Sequence, residues 1–200
     1  MQSFWDFSYI DGDHVEHWED PDPGRTIDHL HAAGWLPSAG RAVDVGCGGG
    51  LDALQLATHG LDVIGLDNSV GALHVAVTRG ARRPALTRRV IWCRSSVLVM
   101  PLATASVDLV HDRGCFHCLD EAATRRRYAT EVHRVLRAGG RWIVTGARID
   151  DDERGVTAVD GRAIERFFPK RSWTVEHVEQ LDLVAPAGSL PACRAVLGRN

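Results

Sequence analysis

Ala42-Val43-Asp44-Val45-Gly46-Cys47-Gly48-Gly49-Gly50 is the stretch on which the fold turns. Its first four residues read as a short buried strand, which runs directly into a turn built almost entirely of glycine. Leu51 to Thr58 follows as a helix, with Leu51, Leu54 and Leu56 on its apolar side and Gly60 as its stop. Glycines let a backbone turn sharply and let a ligand approach it closely. The start of the next helix exposes N–H groups that have no partner within the helix. A strand, a glycine turn and a helix in this order make a ligand-binding corner.

The same grammar repeats outward from that corner. Leu61-Asp62-Val63-Ile64-Gly65-Leu66-Asp67 reads as a second strand, and Ser69 caps a helix running through Leu73, Val77 and Gly80. Val90-Ile91-Trp92-Cys93 and Val107-Asp108-Leu109-Val110-His111 read as strands three and four. A long helix begins at Asp120 and ends at Gly139-Gly140, with Tyr128, Val132, Val135 and Leu136 on one face. Trp142 to Thr145 is the fifth strand. A polar loop (Asp150 to Arg154, within an insertion to Val159), a short helix (Gly161 to Phe168) and two last strands (Trp173 to Leu183, Ala192 to Leu197) follow. Alternating strands and helices predict an α/β sheet, mostly parallel and covered on both faces. Residues 1–40 read as an N-terminal flap and helix, 41–148 as the core, and 149–200 as the insertion and C-terminal strands, all in one domain.

Two hundred residues with 44% apolar and 24% charged side chains suit one globular core and exclude a disordered chain. No stretch has the length of a membrane span or the layout of a signal peptide, so a cytoplasmic location is expected. A formal charge of −3 disfavours a nucleic-acid partner. The arginines at Arg79, Arg82, Arg83, Arg88 and Arg89 lack interleaved aromatics, and Arg125-Arg126-Arg127 reads as a solvated helix face. Cys115-x-x-Cys118 is half of a zinc site without a second pair, so no metal is expected.

Asp67 ends the second strand about twenty residues beyond the glycine turn, where an acid bonds ribose hydroxyls in nucleotide-binding folds. A dinucleotide fingerprint needs glycine at position 51, and Leu51 stands there. Asp44 suits a cationic ligand group better than a pyrophosphate. Asp44-x-Gly46-x-Gly48-x-Gly50 resembles the first motif of the Rossmann-like S-adenosylmethionine-dependent methyltransferases, and the resemblance extends from about Arg41 to Arg148. It implies a seven-stranded, mostly parallel sheet with the last strand antiparallel. It also implies that Asp44, Gly46, Cys47 and Gly48 meet the methionine part of the cofactor, that Asp67 meets the ribose, and that Asn68 lies beside the adenine. Where this family commonly has Gly-Asp after strand three, the chain has Ser95-Ser96-Val97. Ser96 then becomes a hydroxyl partner for adenine, with packing from Val97 and Leu66.

Strand four runs out into Asp112-Arg113-Gly114-Cys115-Phe116-His117-Cys118, wording that resembles the small-molecule thiopurine, thiol and halide methyltransferases. Tyr9-x-x-Gly12 with Trp18 and Pro21 is similar to their opening segment. The resemblance places this segment near the methyl group. His117 is the candidate base or acceptor-positioning residue, with Asp112 steering the cofactor's ammonium or supporting the loop. Cys115 is a candidate catalytic or pocket-lining residue, and Tyr9, Trp18, Arg113, Phe116 and His117 are expected to bind substrate. Arg113 pairs with an acidic substrate or with Asp112 or Asp120. The expected function is methyl transfer to a small molecule, best a thiol sulfur, by a monomer or homodimer. The alternatives are a natural-product O- or N-methyltransferase and a non-catalytic nucleotide-binding protein.

Overall fold

The structure is a computed structural model that describes residues 4–119, 121–148 and 161–200. The expected helix start at Asp120 and the polar insertion from Asp150 to Val159 lie outside the described residues. Seven strands form one sheet in the order β3-β2-β1-β4-β5-β7-β6. They are β1 (Arg41–Val45), β2 (Asp62–Asp67), β3 (Val90–Arg94), β4 (Val107–Arg113), β5 (Leu136–Ala147), β6 (Trp173–Ala185) and β7 (Gly188–Arg199). β1 pairs with β2, β2 with β3 and β4 with β5 in parallel, while β7 runs antiparallel to β5. This is the mostly parallel Rossmann-like sheet that the sequence implies. The chain divides into two compact units, Met1–Ser96 with Val184–Ser189, and Val97–Leu183 with Leu190–Asn200.

In the first unit, Ala42, Val43 and Val45 of β1 and Leu66 of β2 are buried, as a central parallel strand requires. Six helices accompany the strands: α1 (Phe4–Asp11), α2 (Asp13–His17), α3 (Pro23–Ala32), α4 (Leu51–Thr58), α5 (Val70–Ala81) and α6 (Pro84–Thr87). Pro23 opens α3 behind Asp22, whose side chain accepts the Arg25 N–H at 3.2 Å. Ser69 caps α5 by accepting the Ala72 N–H at 3.1 Å. Ile27, Leu30, Leu54 and Leu56 are fully buried. α1 and α2 carry no apolar period because the buried residues of α1 are Asp6 and Ser8. The sequence therefore shows no helix over residues 4–17, although two short ones form there.

In the second unit, α7 (Ala122–Val135) stops four residues before Gly139, and β5 begins at once with Leu136 in extended conformation. The register of β4 against β5 jumps between Val107↔Leu136 and Leu109↔Arg141, so the expected helix end at Gly139-Gly140 is instead a bulge within β5. Leu136 has an extended backbone and is fully buried. α8 (Gly161–Phe167) precedes β6. Phe116 lies among Tyr128, Trp142, Phe167 and Phe168, with ring centroids 5.5–6.1 Å away, and Trp142 also packs on Trp173. These rings are the core of the unit.

Candidate functional site

In the first unit the site is built from the glycine turn and the end of β2. Asp67 ties the two together. Its Oδ2 accepts the Gly48 N–H at 2.9 Å and its Oδ1 accepts the Ser69 N–H at 2.8 Å. Burial pushes its carboxyl above the usual range, against the stabilisation these N–H groups provide. Gly48 has φ +52°, and the Tyr9 hydroxyl lies where a Cβ would project, so no other residue fits there without displacing Tyr9. The Trp92 indole likewise occupies the space of side chains at Gly50 and Gly65.

Charge in this corner is negative and screened from water. Asp44 is 3% and Asp67 8% exposed. The Cys47 thiol is pushed well up, first by burial and then by the charges of Asp44, Asp67 and Asp52. Burial and then Asp67 and Glu19 push the Tyr9 hydroxyl up as well, so it stays protonated. An anionic cradle whose floor is backbone complements a ligand with cationic sulfonium and ammonium groups, and it opposes a pyrophosphate. Asp44, Cys47, Gly48, Asp67 and Tyr9 are thus brought together. Gly46 is exposed at the mouth of the turn, Asn68 is exposed with its carbonyl accepting from Arg94 at 3.3 Å, and Ser96 is exposed. Trp18 packs edge-on against Trp5 at 5.5 Å.

The second unit holds the segment after β4 as a preformed loop. Asp112 is fully buried and its carboxylate is heavily engaged. Oδ1 accepts the Cys115 N–H at 2.9 Å and the Phe116 N–H at 3.3 Å, and Oδ2 accepts the Tyr128 hydroxyl at 2.7 Å. Burial nevertheless pushes its carboxyl up to about 6. His117 Nδ1 accepts the Ala147 N–H at 2.7 Å, which leaves the ring proton on Nε2 beside Gly114. Burial first, then the charges of Arg125 and Arg113, lower its pKa to about 4, so the ring is neutral. Phe116 is fully buried in the aromatic core, whereas Arg113, Cys115 and Val97 are half-buried.

Arg125 is the residue that the sequence reading misplaced. It is 3% exposed, not part of a solvated face. Its Nε donates to the Leu119 carbonyl at 2.7 Å and Nη2 to the His117 carbonyl at 3.4 Å, while its guanidinium lies 5.5 Å from the Phe116 ring centroid. The signal was present: Arg125 stands three residues before Tyr128 and seven before Val132, on the apolar stripe. Arg126 and Arg127 are exposed as expected. Within the suspected arginine cluster, Arg79 is paired with Glu19 and Arg89 with Asp62.

Known proteins place this geometry. Residues 43–144 match the methyltransferase domain model. A probable thiol methyltransferase 2 of Arabidopsis thaliana is 29% identical over 69% of this chain and 59% of its own length. A thiopurine S-methyltransferase of Pseudomonas fluorescens is 25% identical over 69% of this chain and 68% of its own length. The chain thus spans about three fifths to two thirds of these relatives. A solved structure concerned with conversion of a disulfide bond into a thioacetal group during echinomycin biosynthesis superimposes with TM-score 0.81 at 23% identity, covering 100% of this chain and 93% of that one, which shows the shared fold. The chain belongs to the methyltransferase domain family, the Rossmann-like enzymes that use S-adenosylmethionine as methyl donor.

Proposed function

We propose that this protein methylates a small-molecule thiol, with S-adenosylmethionine as the donor. The observation that carries the choice of acceptor is the state of the loop after β4. His117 has its Nδ1 occupied by the Ala147 N–H and presents only a protonated Nε2, and Asp112 is consumed by three hydrogen bonds. Neither group is arranged to take a proton from an alcohol or phenol near neutral pH. A thiol reaches its nucleophilic thiolate form in solution and needs no such base. Two of the curated relatives bear names of sulfur methyltransferases, which supports the same reading.

When bound, S-adenosylmethionine supplies a methyl group on a sulfonium, so the new sulfur–carbon bond forms as the sulfonium bond breaks. The protein's part is placement and exclusion of water. Asp44 with the turn at Gly46, Cys47 and Gly48 would hold the methionine part, Asp67 the ribose, and Asn68, Ser96 and Val97 the adenine. Asp112 acts as the brace of the β4 loop, and the His117 Nε2–H is a donor that positions the acceptor. Arg113 and Cys115 complete the acceptor side.

The test is transfer of labelled methyl to a panel of thiols, hydrogen sulfide, phenols and amines, with wild type and His117→Gln. Thiol methylation whose rate rises with the acceptor's own thiolate fraction, and which His117→Gln lowers less than about tenfold, is the expected result. Preferential methylation of a phenol or amine, with a loss of a hundredfold or more in His117→Gln, would overturn the choice of sulfur.

A further inference from the structure

Two consecutive glycines of the donor turn are covered by side chains anchored in the N-terminal segment. Tyr9 covers Gly48. At Gly49, the Arg79 guanidinium donates Nη1 to the glycine carbonyl at 3.2 Å and grips the Glu19 carboxylate with both terminal nitrogens, Nη2 to Oε2 at 2.8 Å. Glu19 and Arg79 have side chains only 13% and 25% exposed, so this pair differs from a solvated surface bridge. The segment is fixed a second time at Asp6, whose Oδ1 accepts the Ser69 hydroxyl at 2.7 Å and the Gly71 N–H at 3.3 Å. The Tyr9 ring stacks on His14 at 4.3 Å, and the His14 Nδ1 donates to the Ser8 carbonyl at 3.2 Å. Between α1 and α2 stands Gly12 with φ +88°, the joint in this segment.

We propose that the Glu19–Arg79–Gly49 contact is a latch that holds residues 4–19 over the donor turn, making Arg79 a positioning residue for donor retention. The proposal rests on the donor reading given above. The geometry explains why arginine is used. One planar guanidinium meets a carboxylate at two points and still reaches a backbone carbonyl, which an ammonium group cannot do with the same direction. Because Arg79 touches the chain of the turn itself, loosening the latch changes the floor of the site as well as its cover.

The experiment titrates S-adenosylmethionine into wild type, Arg79→Met, Arg79→Lys, Glu19→Gln and the Arg79→Met/Glu19→Gln double variant. Amide hydrogen exchange over residues 4–19 is followed in the donor-free proteins. Arg79→Met and Glu19→Gln should each raise the donor Kd about tenfold, chiefly through faster dissociation, with Arg79→Lys giving partial rescue. The double variant should be no worse than Arg79→Met, and exchange should accelerate over residues 4–19 while β1 and β2 stay protected. Effects that multiply in the double variant, or an Arg79→Met affinity within twofold of wild type, would overturn the latch alone. Failure of wild type to bind the donor would overturn the donor reading and the latch with it. Should Arg79→Met not fold, Arg79→Lys and Glu19→Gln carry the same comparison.

Discussion

Asp67 at the end of β2 and Asp112 near the end of β4 are the same residue type in the same kind of place, and each ties a following loop to its strand. Asp67 accepts the Gly48 N–H on one oxygen and the Ser69 N–H on the other, with the Asn68 backbone as a further donor, and all of these belong to the glycine turn or to the residues that follow β2. Asp112 spends two on Oδ1 and one on Oδ2, the last from Tyr128, and is wholly enclosed. The first carboxylate can still serve a ligand while it shapes the turn. The second is a structural brace whose loop then presents other side chains. Position in the fold alone does not tell a ligand-binding acid from a bracing one; what encloses the carboxylate does, a glycine turn for Asp67 and the buried Tyr128 hydroxyl for the fully buried Asp112.

Substitutions can break this contrast, and the largest effect belongs to the brace. Asp112→Ala leaves two N–H groups and a phenol buried without their acceptor and should lower unfolding free energy by about 3–5 kcal/mol in urea titration. A loss below about 1 kcal/mol would show that the loop does not depend on it.

The next effect is in the pH dependence. The Asp112 carboxyl, raised from 3.8 to about 6, keeps a proton in the folded state that the unfolded chain has released, so its contribution to stability falls as pH rises from about 4 to about 6. His117, lowered from 6.5 to about 4, refuses a proton that the unfolded chain takes, so its contribution falls as pH drops through the same window. The two slopes oppose. Asp112→Asn removes one and should expose an acid-induced loss of about 3 kcal/mol relative to wild type between pH 6.5 and 4, seen in urea midpoints. Parallel profiles for the two proteins would contradict the assignment.

Asp67→Ala sharpens the contrast from the other side. It should weaken binding of the donor by about 1.4–2.8 kcal/mol, roughly ten- to a hundredfold in Kd, while lowering stability less than Asp112→Ala does. The smallest effect is at the cap of α5. Ser69→Ala removes the acceptor for Ala72 and the donor to Asp6, and should cost about 1 kcal/mol in thermal or urea unfolding.

The α/β class, the glycine turn and the end of β2 at Asp67 were readable because strands, glycines and an acid at fixed spacing follow from local backbone demands. The N-terminal helices were hidden because they bury Asp6, Ser8 and His14 in place of an apolar stripe. Their role over Gly48 and Gly49 depends on contacts between residues about 40 to 60 positions apart, such as Tyr9 with Gly48 and Glu19 with Arg79. Gly139-Gly140 looks like a helix stop, while the helix already ends at Val135 and the backbone is extended from Leu136. The state of His117 was equally out of reach, since its tautomer is set by the backbone of Ala147, thirty residues on.

Calorimetric titration of the wild type and of Asp67→Ala with S-adenosylmethionine and, separately, with NAD bears most directly on the anionic, glycine-floored cradle. Heat from S-adenosylmethionine alone is expected, with affinity falling at least tenfold in Asp67→Ala. Binding of NAD in preference, or an unchanged affinity for S-adenosylmethionine in Asp67→Ala, would contradict it.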